Sequence, residues 1–415
     1  MSDPVTAPTR LRDDRDFVRY WGARQVSVMG SLVTAVVMPV LIYRVSASPA
    51  LTALTTVLEG LPYVLFGLFA GALADRLDRK RLMVRTDLVC AAAIASVPIA
   101  YEAGVLTIPH VLGAAFVSQA MFTLFDGAAF GALPTLVGRD RIGEANAAIW
   151  GFGGVLDLSV PMAVGIALAV VHPADLLLID SFSFVASAVL LGSIRRPMTG
   201  DRSRAPAFSA RQIRADVGEG LRFLWAHTGV RAMTVIGMLQ SMAGAGFMAL
   251  AVPYADRLLH IGTSGLRFGM LFAAWGIGGI IAAALTPRLL RKRSTAWVTL
   301  AFIPASAAAG VAVALSRHWM LATSLMIAWG VAYQVVIINA LTYRQQVTPE
   351  HLLGRVNTAG RMLSYGVGWT GGALAAGALV GWLGLASTLV LMVAIGGLAA
   401  AYGWGSSLRG VASER

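Results

Sequence analysis

Along most of its length the chain alternates long apolar runs with short polar breaks, and the breaks carry most of the arginines. Runs of eighteen or more residues recur, each long enough as a helix to cross a hydrocarbon layer about 30 Å thick. Twelve spanning helices are expected, near residues 17–44, 49–74, 82–102, 108–133, 144–171 and 174–194, then 230–255, 266–285, 296–315, 319–343, 356–383 and 386–405. They fall into two sets of six. Residues 1–16 read as a tail, 17–194 as a first bundle, 195–228 as a linker, 229–407 as a second bundle and 408–415 as a closing tail. The linker opens with RRPMTGDRSRAPAFSARQIR and holds no spanning run. Its later part puts Ile213, Val217, Leu221, Leu224 and Trp225 on one helical face, away from Arg211, Arg214 and Arg222. That pattern fits a helix lying along a membrane surface, against the plainer reading of a solvated loop.

The chain repeats itself. GLFAGALADRLDRKRLM from Gly67 aligns without a gap on GIIAAALTPRLLRKRST from Gly279, pairing Arg76 with Arg288 and Arg79, Lys80 and Arg81 with Arg291, Lys292 and Arg293. RIGEAN from Arg141 matches LLGRVN from Leu352 at nearly the same offset. Each pair occupies the same place in its set of six, so the halves are expected to be parallel repeats about an axis along the membrane normal. The expected fold class is an all-α integral membrane protein.

Composition agrees: 57% of the 415 residues are apolar, only 13% are charged, and the mean hydropathy is +0.71, so a water-soluble fold would need an implausibly large core. The net charge of +12 raises the question of a nucleic-acid partner, but its distribution answers it. With the first helix starting in the cytoplasm, the clusters at Arg10, Arg12 and Arg15, at Arg76 to Arg81, at Arg139 and Arg141, at 195–222 and at Arg288 to Arg293 all fall inside, leaving Arg44, Arg257 and Arg317 outside. This is positive-inside asymmetry, with both termini cytoplasmic and no nucleic-acid partner expected. Cys90 is the only cysteine, so no disulfide framework exists. The first sixteen residues lack the apolar core of a signal peptide.

At the loop after the second helix the chain resembles the major facilitator superfamily, and within it the drug/proton antiporter branch of macrolide and siderophore exporters. Gly71, Leu73, Ala74, Asp75, Arg76, Arg79 and Lys80 match that family's loop motif, with Asp78 in place of its second glycine; the stretches LPYVLFGLFAGALADRLDR and ALPTLVGRDRIGEANA are similar to the exporter branch. The resemblance extends over essentially the whole chain. It implies a gating motif of Gly71, Asp75, Arg76, Arg79 and Asp126, in which Asp75 meets the start of helix eleven near Asn357 and Arg79 pairs with Asp126. A loop serving only as a topology anchor is the alternative, though that role would not need Asp75 or Asp78. The small-xxx-small spacings Gly67 and Gly71, Gly127 and Gly131, and Gly368 and Gly372 allow helices to approach closely. In helix five, GGVLDLSVPMAVG keeps Pro161 and Gly165 of the exporter pattern and has Val160 and Val164 where glycines are expected.

An acid at mid-bilayer costs roughly 2.5 to 3.5 kcal/mol on insertion scales, so each one needs a reason. Asp157, near the middle of helix five, and Glu59 in helix two are the proton-coupling candidates, because a carboxyl held out of water can take up and release a proton. A packing role, paired with an arginine such as Arg24 or with a backbone donor, is the alternative for each. Asp87 with Arg85, and Asp180, read as structural ion pairs or interfacial groups near span ends. The resemblance places helices one, four, seven and ten around a central cavity. Arg24, Met38, Gln119, Phe122, Gln240, Met242, Tyr333, Gln334 and Asn339 are the cavity candidates, each with helix packing as its competing role. Amides, soft methionines and aromatics suit several greasy ligands better than one ion or sugar.

No phosphate-binding G-x-x-x-x-G-K-[ST] loop, no G-x-S-x-G elbow and no metal-ligand spacing among the six histidines is present. No enzyme activity, cofactor or metal is expected. The expected function is proton-coupled efflux of small amphipathic molecules (drugs, antibiotics or siderophore-like metabolites) by a monomer in the inner membrane, through alternating access. Movement of a lysophospholipid or lipid-like substrate, or a non-transporting scaffold or sensor, are the rivals.

Overall fold

The computed structural model describes residues 10–74, 76–199, 210–349 and 352–413, and these are helical with short connections. In chain order the helices are α1 (Arg15–Ser46), α2 (Pro49–Ala74), α3 (Arg79–Glu102), α4 (Ile108–Val137), α5 (Ile142–Ala167), α6 (Pro173–Gly192), α7 (Ala210–Ala226), α8 (Thr228–Met248), α9 (Leu266–Leu290), α10 (Thr295–Leu315), α11 (Trp319–Val347), α12 (Leu353–Leu383), α13 (Leu385–Gly405) and α14 (Leu408–Ser413). Eleven are long and apolar enough to span a bilayer. The twelfth span is α8 together with Ala251–Leu258 beyond a 50° bend, where a single uninterrupted run was expected.

Local chemistry sets the helix ends. Asp14 caps α1 by accepting from the backbone of Asp16 and Phe17, Thr107 caps α4, and Ser294 caps α10. Gly384, at φ +74, turns the chain between α12 and α13 where a side chain would be strained. Within α12, Met362–Trp369 widens into a π-helical segment.

The two halves pack alike. α1 lies on α6 as α8 lies on α13; α3 on α4 as α10 on α11; α2 on α4 as α9 on α11; α3 on α6 as α10 on α13. This is the parallel duplication expected from the repeated loops. The halves meet along two seams, α5 against α9 and α2 against α12.

The arginine-rich breaks gather at one end, here called the basic end. There Arg196 pairs with Asp14 at 2.7 Å, Lys80 donates to the Ile194 carbonyl, and Arg79 N–H donates to Thr199. Residues 11–16 are therefore packed, with Leu11, Asp14 and Asp16 buried, rather than trailing as a tail. α7 packs on the start of α12, where Glu219 pairs with Arg355 and Gly220 lies against the Arg355 backbone. Leu224 is buried there among Val230, Leu352 and Val356, while Trp225 is half exposed; Ile213's side chain lies outside the described set.

Lipid tails are as apolar as leucine, so burial does little to hold these helices together; close packing does. Exposed apolar side chains such as Phe130, Trp150, Val170 and Trp382 suit a hydrocarbon surround.

Candidate functional site

The seams are built by glycine. On α5 and α9, the Gly265 N–H donates to the Gly165 carbonyl at 2.5 Å, a backbone bond between halves. A Cβ at Gly165 would lie 2.5 Å from Gly269 Cα, and one at Gly269 2.8 Å from Met162 Cα. Further along, a Cβ at Gly276 would lie 2.6 Å from the Asp157 carbonyl oxygen and one at Gly154 3.4 Å from Ile280. On α2 and α12, Gly377 faces Ala53, Gly60 faces Thr370, and Gly366 faces Val64. Both seams stop short of the basic end: Gly67, two turns below Gly60, and Gly151 and Gly153 meet nothing within 4 Å. The close approach expected of Gly67 is thus not made. Gly127, by contrast, packs closely, since a Cβ there would lie 3.0 Å from the Ala70 backbone, and one at Gly368 would lie 2.7 Å from the Met238 carbonyl.

At the end opposite the basic loops the halves are latched. Tyr43 donates to Asp256 at 2.8 Å, Arg257 donates to the Tyr43 hydroxyl and to the Ala47 carbonyl, and Arg44 donates to Thr263 and to the Leu168 carbonyl. Arg44 and Arg257 are among the arginines that break the charge asymmetry. Arg317 binds the Ala314 and Ser316 carbonyls at the end of α10, and Arg267, at the same end of the molecule, lies over the Trp319 ring.

Near the basic end an ion pair among the described residues crosses between halves: Asp126 on α4 with Arg361 on α12, at 3.3 Å. Arg79 was expected as the partner of Asp126. It donates instead to the Gly131 carbonyl at 2.8 Å, because the bare Cα of Gly131 lets its guanidinium lie flat against α4. Arg76 sits half buried in the turn after α2. Asp75 and the surroundings of Gly71 lie outside the described residues. Asn357, its expected neighbour, keeps a buried amide oxygen without a partner.

The intramembrane acids occupy three settings. Glu59 lies in the α2–α12 seam, accepting from Trp369 Nε1 at 3.3 Å. Asp157 lies halfway along α5 with its backbone against α9 and its side chain exposed, in no ion pair among the described residues. Asp87 and Asp180 are neither interfacial nor ion-paired. They are 2% and 1% exposed, within a turn of the midpoints of α3 and α6, and neither meets a cation in a salt bridge among the described residues. α3 begins at Arg79 rather than residue 82, which carries Asp87 deeper than expected.

Of the cavity candidates, Met38, Gln240, Tyr333 and Asn339 are enclosed within their own halves, Tyr333 packed on Trp275 and facing Gly244. Arg24, Gln119, Phe122, Met242 and Gln334 remain partly open, with Arg24 lying 5.3 Å over the Phe125 ring. Gln240 Nε2 and both amide atoms of Asn339 are buried without hydrogen-bond partners. Sequence reasoning missed the seam residues Gly265 and Gly269, the latch of Tyr43, Asp256 and Arg257, and Arg361. The out-of-place arginines were the available signal for the latch.

Residues 6–410 match the family model described as transmembrane secretion effector. The chain is 24% identical over 385 residues to the multidrug efflux pump Tap of Mycolicibacterium fortuitum, covering 88% of each. It is 26% identical over 384 residues to the enterobactin exporter EntS of Salmonella typhi, covering 90% of this chain and 87% of that one. A bacterial homolog of the lysosomal transporter Spinster, solved in an inward-facing, unoccupied conformation, superposes with a TM-score of 0.73 at 13% identity, over 96% of this chain and 97% of that one.

Proposed function

Because the chain belongs to the transmembrane secretion effector family of major facilitator transporters, multi-span proteins of the bacterial cell membrane, we propose that it is a proton-driven exporter of small amphipathic molecules. The basic end faces the cytoplasm with both termini, as the arginine asymmetry favours. In that orientation the halves are sealed outside and parted inside, so a ligand enters the space between them from the cytoplasm or the inner leaflet. The carrying observation is the pair of glycine seams, packed from the outer end past mid-membrane and free at Gly67, Gly151 and Gly153. Rocking the halves about the middle of the seams opens the outer latch and closes the inner gap. Efflux by relatives named for a multidrug pump and an enterobactin exporter supports outward transport of greasy organic molecules. The partly open aromatic and amide groups support a tolerant site in a monomer. Energy comes from the gradient: one charge crossing 100 mV releases about 2.3 kcal/mol.

The test is accumulation of a fluorescent amphiphile in cells with and without the protein, with and without a protonophore. Export lowers accumulation, and collapse of the gradient restores it. Equal accumulation in all four conditions refutes the reading.

A further inference from the structure

We propose that the N-terminal half carries its own proton-binding track, Asp180, Ser183, Ser187 and Asp87, enclosed between α1, α3 and α6, and that loading and emptying this track couples the proton gradient to transport. The proposal rests on the reading of the chain as a proton-driven exporter and moves its coupling site away from Asp157 and Glu59.

Geometry makes the case. Asp180, Ser183 and Ser187 follow at i, i+3 and i+7 on α6, so they share one face, and all three are buried. From α1, Thr34 donates to Asp180 Oδ2 at 2.5 Å. Gly30 has no side chain because a Cβ there would fall on Ser183 Oγ and Asp180 Oδ1. From α3, Asp87 supplies the second carboxyl. Asp87 lies on the basic-end side of α3's midpoint and Asp180 on the opposite side of α6's, so the polar track bridges the middle of the membrane.

Among the described residues Asp87 Oδ2 and Ser187 Oγ are fully buried, and the two side chains are neighbours that engage each other while falling short of a well-formed hydrogen bond. An ionised carboxylate left so is costly in lipid. Ser187 can donate its O–H to Asp87 in either protonation state, so what distinguishes them is the charge: an ionised Asp87 keeps a net charge in the interior with no salt bridge among the described residues, and one added proton removes it. Charge accounting points the same way. The groups within electrostatic reach of Asp87 are Asp180 on α6, Arg24 on α1 and Cys90 on α3, the last turned toward the Ser118 carbonyl of α4. Arg24 reaches Asp87 only at a distance, spread over Phe125, and no cation is named against Asp180, so the two carboxyls share an interior without a salt bridge among the described residues.

The step is a simple exchange: a proton adds to a carboxylate oxygen, converting COO⁻ to COOH, and the same proton later leaves to water at the other end. Thr34 is half buried and gives Asp180 a hydroxyl link toward the surface of α1, and α1 also packs on α5, which carries the Gly165 seam. An ionised Asp180 no longer tolerates the dry contact at Gly30, which ties its charge to the α1–α6 packing.

The experiment is infrared difference spectroscopy of the purified protein in proteoliposomes across a pH titration, with D87N and D180N beside wild type. The proposal expects a carboxylic-acid carbonyl band in wild type that loses intensity in each variant, and uphill transport of the fluorescent amphiphile reduced at least about tenfold in both. Asn matches a neutral Asp in shape, and Asp180→Glu, which keeps the titrating group, is expected to recover part of the band. A wild-type spectrum with no protonated carboxyl assignable to Asp87 or Asp180 overturns the proposal. So does unchanged uphill transport in D87N and D180N, or transport that follows sodium at fixed pH instead of pH. If wild type shows the band and no protonophore-sensitive transport, the exporter reading fails and the coupling claim falls with it.

Discussion

Asp126, His172 and Gly165 show how differently single residues act here. The Asp126–Arg361 pair is partly solvated on both sides, and such pairs contribute about 1 kcal/mol or less. D126N or R361Q is therefore expected to change the transport rate by no more than about five-fold, and the reversed pair D126R/R361D to recover it; a complete loss with no recovery contradicts a gate-bridging role. His172 caps α6 through Nδ1, which accepts from the Ala174 N–H at 3.2 Å, and its ring stacks on Tyr101 at 3.9 Å. Desolvation, aided by Arg44, holds its pKa below the usual value of 6.5. A base whose folded-state pKa is depressed resists protonation in the fold. Its stabilising contribution is complete above about pH 6.5 and is lost as pH falls toward the folded value. Thermal denaturation in detergent is expected to show a melting temperature that declines over this range in wild type and declines less in H172N, where an amide oxygen keeps the cap. Residue identity alone exposed Asp157 and Glu59, since acids in apolar runs stand out. It misjudged Asp87, because depth depends on where a helix begins, and a few residues of error at Arg79 move a carboxyl from interface to interior; Asp180 was misjudged although its helix begins within one residue of the expected start.

Among the helices, the seams decide the conformation. Gly165→Val places methyls where Gly269 Cα and the Gly265 carbonyl already sit, a clash of the kind that costs about 1 to 3 kcal/mol in a packed interior. Every 1.4 kcal/mol is about tenfold in an equilibrium, so this change is expected to favour the outwardly open arrangement; Gly153→Val, with nothing within 4 Å, is expected to leave it alone. Accessibility of a cysteine at Phe268, fully buried near the outer end of α9, to a membrane-impermeant thiol reagent reads the difference, and equal labelling in the two variants contradicts it. Helix number and order were legible because a spanning helix advertises itself by length and hydropathy. Seam partners were not: small-xxx-small spacing marks a face that can pack closely, without saying which neighbour fills it or in which state. Gly67 illustrates this, bearing the right spacing and meeting nothing, whereas Gly165, half of a broken exporter pattern, makes a close backbone contact between halves. The bend after Met248 was also hidden, since the hydrophobic run continues unbroken through it.

For the whole molecule, the repeat at Gly67 and Gly279 was enough to foresee two parallel six-helix halves, and the packing of α1–α6 on the plan of α8–α13 agrees with it. Transport by such a molecule requires that the halves alternate, closing one end as the other opens. With Cys90 replaced by serine, spin labels at Val170 and Leu266 straddle the outer end of the α5–α9 seam, and labels at Leu77 and Lys292 sit on the mirrored basic loops. Electron–electron resonance distances for the two pairs, measured as pH is lowered and as a transported amphiphile is added, read that motion at both ends of the molecule. Alternation predicts opposite changes, the outer pair lengthening as the inner pair shortens. Distances that stay fixed under every condition, or that lengthen together, contradict it.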